Sequence, residues 1–478
     1  MVFSNLTFVC LFLPIVLALY HGAPHSVRNL VLVVASMVFY VWGGRMAIVL
    51  VLASIAVNFM LGQAIAAADA ERRTRLIRWS VAGNLLVLIV FKYADFLVDN
   101  VNWVLEGVAG WSIPSPKVPL PLGISFITFH ILSYLIDVYR GTAEPQRSRV
   151  PFALYILNFP QLVAGPIIRY QPMAPQLGRR PIAFEDIDAG VMRFVAGLAK
   201  KLLIANPLGA LADQLFAIEP AGLPTWALWL AVVCYALQIY FDFSGYSDMA
   251  IGIARMFGFR FPENFNYPYA ATSIQDFWRR WHITLSAWFR DYVYVPLGGN
   301  RGPWWRTTIN LWIVFLLCGA WHGASWNFIV WGLWHGLFLS IERIGLVQRL
   351  LAALPNVVRT AYVMLIVLIG WVFFRQTSLD LAFDMLWRMF VPAAAAGNML
   401  LLSAQVPAPI VMLIAVAIVF AFPVWPAVKV RLAAAAAQQP GAQVAYDLGR
   451  ALLVGGLTML CVATMALDQH NPFIYFRF

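Results

Sequence analysis

Charge is what this chain has little of. Of its 478 residues, 12% are Asp, Glu, Lys or Arg, against about 25% in soluble domains. With 62% hydrophobic residues and a mean hydropathy of +0.75, a string of soluble domains is excluded, and a polytopic membrane protein is indicated. Cysteine is scarce as well. Cys10, Cys234, Cys318 and Cys461 are widely spaced and form no Cys-x-x-Cys pair, so neither a disulfide framework nor a zinc site is suggested. Cys318 precedes His322 by one helical turn. An acyl-thiol is conceivable there, but a small core residue is the simpler reading. Walker A and strand-linked G-x-G-x-x-G motifs are absent, as is a G-x-S-x-G nucleophile elbow. No Lys or Arg precedes the first apolar run, Leu6–Tyr20, so a cleaved signal is not expected; it reads as a span with its N-terminus outside. The chain shows no internal repeat. Its net charge of +11 reads as positive-inside loops facing anionic headgroups, not as nucleic-acid binding.

What is present is a succession of apolar runs: Leu6–Tyr20, Leu30–Trp42, Met46–Ala67, Trp79–Leu97, Pro119–Tyr139, Val191–Ala217, Trp226–Met256, Ala361–Phe374, Ile410–Val424 and Leu448–Ala466. Arg72, Arg73, Arg75 and Arg78 place the loop after the third run in the cytoplasm, and the acidic loop Val98–Val118 faces the other side. Pro151–Ile168 has arginines at both ends and Pro160, Gly165 and Pro166 within, which predicts a re-entrant segment rather than a crossing. Pro262–Trp305 mixes Trp278, Trp281, Trp288, Tyr292 and Tyr294 with Arg279, Arg280, Arg290 and Asp291, the pattern of an interfacial, in-plane segment. Leu432–Ala445 reads as a loop or an interfacial helix.

Three of the seven histidines, His282, His322 and His335, fall between Phe277 and Arg343. An ionisable group inside such an apolar run is a functional hypothesis by default. One helix over Ile309–Ile341 would be roughly 50 Å long, too long for a core of about 30 Å. A hairpin is therefore expected, broken over Gly319–Ser325 and centred on His322, with both basic ends in the cytoplasm. Its first arm, Thr307–Gly319, would reach only about 20 Å, leaving His322 at membrane depth, and His335 would lie about 20 Å further along. Unwound backbone at that depth must be buried in protein or line a wet cavity, so His322 is a candidate for the floor of a reaction chamber. A neutral imidazole there can take a proton from a hydroxyl attacking an acyl group. His282 taken alone is equally well amphipathic packing. His130, near Asp137 and Tyr139, reads as a satisfied core histidine, and His21, His25 and His470 as loop residues.

The phrase Tyr240-Phe241-Asp242-Phe243-Ser244-Gly245-Tyr246-Ser247-Asp248 is expected to interrupt the span Trp226–Met256. Two carboxylates in an apolar run need partners. Either they bond backbone freed around Gly245 or arginines of the basic segment, or they serve the substrate directly.

The blocks Pro119–Gly141, Asn158–Tyr170 (NFPQLVAGPIIRY), Tyr240–Tyr269, Phe277–Gly302, Trp321–Gly336 and Asn471–Phe478 (NPFIYFRF) resemble the membrane-bound O-acyltransferases (MBOAT), most of all the membrane subunit of the alginate O-acetyltransferase branch. The resemblance is weakest over Gln348–Ala466. It implies an all-α, polytopic bundle of about eleven spans, with re-entrant and interfacial helices around a central cavity. Residues 1–478 would form one integral-membrane domain, with the catalytic core at about 119–343. It also implies an O-acetyltransferase of the bacterial inner membrane. The donor would be acetyl-CoA with no bound cofactor and no metal, the acceptor an extracytoplasmic polysaccharide, and the acetyl group would pass through a periplasmic partner protein. His322 matches the family's invariant histidine and His282 its second. Asp242, Ser244, Tyr246, Arg290, Asn300 and Trp321 are expected around the substrate, and Arg279–Arg306 is expected to meet the anionic CoA. Rival readings are a proton-coupled transporter or channel subunit, and a passive scaffold of a polysaccharide export complex. Transporters often carry repeats with broken helices in both halves, which this chain does not show. A scaffold leaves Asp242, Asp248 and His322 without a role.

Overall fold

The structure, a computed structural model, describes residues 2–44, 46–163, 165–391, 406–437 and 440–467; the terminal block Asn471–Phe478 and His470 lie outside them. Every regular element among the described residues is a helix. In order these are α1 (Leu13–Gly22, entered by the π-turn Phe8–Phe12), α2 (Arg28–Gly44), α3 (Ala47–Ala67), α4 (Ala70–Ala109), α5 (Ile124–Arg140), α6 (Arg149–Leu157), α7 (Phe159–Leu162) and α8 (Tyr170–Met173). There follow α9 (Phe184–Ala199), joined by the π-turn Lys200–Ala205 to α10 (Asn206–Phe216), and then α11 (Thr225–Met256), α12 (Ile274–Arg280) and α13 (Ile283–Phe289). The carboxyl part holds α14 (Trp304–His322), α15 (Trp326–Ile341), α16 (Gly345–Ala353), α17 (Asn356–Arg375), α18 (Leu379–Phe390), α19 (Ala408–Phe420), α20 (Val424–Ala436) and α21 (Pro440–Leu467).

Among the described residues, six helices are long and apolar enough to cross a membrane: α3, α4, the α9–α10 rod, α11, α17 and α21. The pair α19–α20, bent by 68°, makes a seventh if it is one span, and Phe8–Gly22, α2 and α15 are shorter apolar helices. The chain is an all-α, multi-pass membrane protein. The loop expected from Val98 is helical as far as Ala109, because no proline stops α4 before Pro114 and Gly110 closes it at φ 70°. The alanine-rich stretch from Leu432 is the end of α20 and the start of α21. His21, expected in a loop, sits in the last turn of α1, where its ring meets the Met256 carbonyl at 3.2 Å.

The bundle is built around α11, a continuous helix of 32 residues buried along most of its length. Tyr240–Asp248 does not interrupt it, which corrects the sequence expectation. Gly245 is there for close packing against α9, not for a break. A Cβ on Gly245 would come within 2.7 Å of the Gly197 carbonyl, and one on Gly252 within 2.6 Å of the Gly190 carbonyl. Two such glycine contacts let the antiparallel backbones of α9 and α11 approach closely. The same approach sets the cations of the α9 rod beside the carboxylates of α11.

Where a re-entrant segment is expected, the structure has two short helices, α6 and α7, of 9 and 4 residues, broken at Asn158. Both are buried, so their irregular backbone must be satisfied by protein. Ser36 Oγ accepts from the Phe159 amide at 3.1 Å, Thr284 Oγ1 from the Ile167 amide at 3.0 Å, and His130 Nε2 from the Ile168 amide at 3.3 Å. His130 therefore has a structural task in this segment.

The aromatic, basic segment after Pro262 departs from expectation. Trp278, Trp281 and Trp288 are buried, and α12 and α13 plug into the bundle instead of lying on its surface. Glu342, at the end of α15, fixes α12 from outside: its carboxylate accepts from the Ile274 and Gln275 amides at 2.7 and 3.2 Å. The hydrocarbon faces of the tryptophans, not the arginines, decide where this segment goes.

Candidate active site

His322 is the last residue of α14, and three extended or bent residues, Gly323–Ser325, lead into α15. The hairpin is as expected, but its break is shorter and begins after His322. The first arm runs from Trp304 for 19 residues, about 28 Å, so it is not the truncated arm read from the sequence. The two arms pack antiparallel with glycines at the seam. Trp312 Nε1 donates to Ser340 Oγ at 3.1 Å near the open end, and a Cβ on Gly319 would overlap the Phe328 carbonyl near the turn.

A helix that stops inside a protein leaves its last carbonyls unsatisfied. At the end of α14 they are met from α4. Lys92 Nζ donates to the carbonyls of Trp321 (2.5 Å) and His322 (3.3 Å), and Tyr93 OH to that of Ala320 (2.6 Å). A cation at a helix C-terminus also opposes the negative end of the macrodipole. Lys92 reaches Ser125 Oγ on α5 at 3.4 Å, so it ties three helices together at this point.

The His322 ring is held edge-to-face by Trp321 and Trp331, each 4.9 Å away between centroids, and by Phe374 at 5.2 Å. Its Nδ1 is buried with no hydrogen-bond partner among the described residues. An aromatic cage that fixes a ring yet leaves a nitrogen unbonded is suited to a group that exchanges a proton with a ligand.

His282 lies against the same tryptophan: its ring is 6.2 Å from Trp321. It links α12 to α13 in the left-handed conformation, φ 43° and ψ 54°. That is uncommon outside glycine but tolerated by histidine better than by most residues. The side chain is fully buried, Nδ1 meets Asn264 Oδ1 at 3.1 Å, and Nε2 has no partner among the described residues. His335 is brought back by the hairpin to Trp331, 5.3 Å away, the same ring that holds His322. It is fully buried, and neither of its nitrogens has a hydrogen-bond partner among the described residues.

Residues 121–378 match the MBOAT, membrane-bound O-acyltransferase family. The chain belongs to it. Over 83% of its length it is 44% identical to the probable alginate O-acetylase AlgI of Azotobacter vinelandii, covering 79% of that protein. It is also 44% identical to the protein of that name from Pseudomonas aeruginosa, over 83% of this chain and 76% of that one. It is 35% identical to the peptidoglycan O-acetyltransferase of Helicobacter pylori, over 81% of this chain and 79% of that one.

Within this O-acyltransferase the other candidate residues separate. Trp321 lies between the two rings in the sense that both pack on it. Asp242 is buried and faces Lys201 at 2.9 Å. Asp248, two turns on, bonds Lys200 at 2.6 Å and Arg193 at 2.7 Å, and Arg193 also reaches Glu263. The partners are thus cations of the α9 rod, neither freed backbone nor arginines of the later basic segment. Tyr246 is buried and stacks on Phe3 at 4.5 Å. Ser244 Oγ is buried without a hydrogen-bond partner among the described residues. Arg290 is exposed and holds Asp291 at 2.7 Å, while Asn300 is exposed in the turn before α14. The structure gathers His282, His322 and Trp321 into one place and leaves Arg290 and Asn300 at the surface. Sequence reasoning missed Lys92, Lys201 and Asn264. The signal for the lysines was available: each is a cation within an apolar helical run, which demands a partner.

Proposed function

We propose that the protein transfers acetyl groups from cytoplasmic acetyl-CoA to hydroxyls of an extracytoplasmic, alginate-like polysaccharide, through a periplasmic partner protein, in a bacterial inner membrane. The observation that carries this reading is His322: a caged imidazole with an unbonded nitrogen, at the end of a helix whose last carbonyls are pinned by Lys92. In the proposed step a hydroxyl oxygen attacks the thioester carbon while His322 takes its proton. The carbon–sulfur bond then breaks, and the proton passes to the departing CoA thiolate. The names of the relatives, which act on alginate and on peptidoglycan, support a glycan hydroxyl as the final acceptor. The arginines exposed around Arg290 and Arg301 suit the phosphates of CoA at the cytoplasmic face.

Proteoliposomes loaded with the purified protein test this. Labelled acetyl-CoA is supplied outside, and label is followed into an acceptor glycan with and without the products of neighbouring genes. The expected result is acetylated glycan that depends on His322 and on the partner. Proton-coupled movement of a solute without acetyl transfer would overturn the reading.

A further inference from the structure

We infer that Asn264 is a positioning residue that locks His282 in one tautomer, with Nε2 bare, so that His282 offers an acceptor that orients the incoming hydroxyl before its proton passes to His322. The inference rests on the proposed acetyl transfer and adds a role to its second histidine.

One donor at Asn264 cannot change its role. The Thr284 backbone N–H points at the Asn264 side chain at 3.2 Å, and an N–H has only a proton to offer. The atom facing it must therefore be the amide oxygen. The rest of the amide agrees: its NH2 donates to Ser247 Oγ on α11 at 2.9 Å, and Thr284 Oγ1 donates to the same oxygen at 2.8 Å. Thr284 Oγ1 also accepts from the Ile167 amide at 3.0 Å, which leaves its one proton for the Asn264 oxygen. The amide cannot be flipped without setting donor against donor.

His282 Nδ1 lies 3.1 Å from that oxygen. An oxygen acceptor needs a proton opposite, so Nδ1 carries N–H. The ring is fully buried and no carboxylate among the described residues is hydrogen-bonded to it, and an uncompensated charge there would be costly. The ring is neutral, its one proton is on Nδ1, and Nε2 holds a lone pair. Nε2 is buried and has no partner among the described residues.

The backbone keeps this arrangement in register. The Ile283 amide donates to the Asn264 carbonyl at 2.9 Å, and the Asn266 amide to the Arg280 carbonyl at 2.9 Å. The segment around Asn264 thus runs alongside the left-handed turn that presents His282.

A bare Nε2 has a chemical consequence. It cannot stabilise the thioester carbonyl or the oxyanion formed from it, since both are acceptors. It can receive the O–H of the acceptor as that group enters and aim the oxygen at the acyl carbon, before the O–H turns to His322 and gives up its one proton there.

The test has three arms. Magic-angle-spinning 15N spectra of histidine-labelled protein, with the His282→Gln spectrum identifying the signal, are expected to show Nδ1 protonated and Nε2 bare. A protonated Nε2 in the wild-type protein would overturn the inference. Asn264→Ala is expected to mix the tautomers and to lower kcat by about 10²-fold or more, with KM for acetyl-CoA unchanged. Asn264→Asp keeps an acceptor oxygen opposite Nδ1 and Thr284 and is expected to recover most of that loss. Equal inactivity of both variants, each inserted and carrying the wild-type tautomer, would reduce Asn264 to a structural residue. His282→Ala separates this from the wider reading. If His282→Ala is inactive and Asn264→Ala is active, only the inference falls. If His282→Ala transfers acetyl normally, the second histidine has no part in the reaction.

Discussion

Lys201 Nζ lies 2.9 Å from the Asp242 carboxylate, and both side chains are shut off from the surroundings where α9 and α11 meet. Breaking a buried pair from one side strands a charge and costs about 3–5 kcal/mol, whereas replacing both partners with apolar groups is often neutral. Asp242→Asn and Lys201→Met are each expected to lower the melting temperature and the yield of monodisperse protein. Lys201→Met combined with Asp242→Leu should recover most of both. Thermal unfolding in detergent checks this. A stable Asp242→Asn protein that has lost only acyl transfer would instead return Asp242 to the substrate.

The seam of the hairpin gives a second expectation. A Cβ on Gly332 would overlap the Phe315 carbonyl, backbone that cannot move without moving α14. At Gly336, one turn on, the nearest atom to a new Cβ is Phe315 Cβ at 3.4 Å, an ordinary contact. Gly332→Ala should push the arms apart and cost about 1–3 kcal/mol, as overpacking does. Gly336→Ala should be close to neutral. Comparing the two melting temperatures decides it, and equal effects would refute the packing described here.

Lys92 gives a third. Hydrogen bonds to charged groups contribute about 1.5–3 kcal/mol each, and Lys92 makes its bonds where His322 is presented. Lys92→Met keeps much of the volume and leaves those carbonyls unmet. Acetate transferred per inserted protein should fall by about 10- to 100-fold, at 1.4 kcal/mol per tenfold, with insertion preserved. Unchanged transfer would show that Tyr93 alone suffices to hold the end of α14.

The hairpin, the break in the chain at Asn158 and the placing of His282 and His322 around Trp321 could be read from the sequence for one reason. Each is a polar or chain-breaking residue set in an apolar run, where its cost is plain without knowing its surroundings. The partners were not legible, because they are supplied across the fold. Lys92 serves carbonyls 229 positions away, and a carbonyl leaves no trace in a sequence. Asn264 looks like any loop asparagine until Thr284 and His282 are folded onto it. Arg290 was drawn toward the site by its charge and its place in a matching block, yet it is exposed beside Asp291. The phrase around Asp242 suggested a broken helix because glycine and serine weaken helices in isolation. Packing against Gly197 overrides that propensity.

The two Trp-His-Gly phrases are alike in sequence and should differ in consequence. His322 ends a helix, lies against Trp321 beside His282, and offers an unbonded Nδ1. His335 lies mid-helix on α15, between Trp278 at 5.1 Å and Trp331 at 5.3 Å. It stands in the middle of a helix, away from the helix end that presents His322, so its ring acts as a space-filling group. Removing a positioned acid–base group typically costs about 10²–10⁴ in rate. His322→Ala is expected to lose acyl transfer on that scale while inserting normally. His335→Leu, which fills much of the same cage without a polar atom, should keep most of the activity, and His335→Ala should lose stability more than rate. His282→Ala should fall between His322→Ala and His335→Leu. The measurement is acetate incorporated per unit of membrane-inserted protein. Near-normal transfer by His322→Ala together with an inactive, well-folded His335→Leu would move the reacting centre from the end of α14 to the middle of α15.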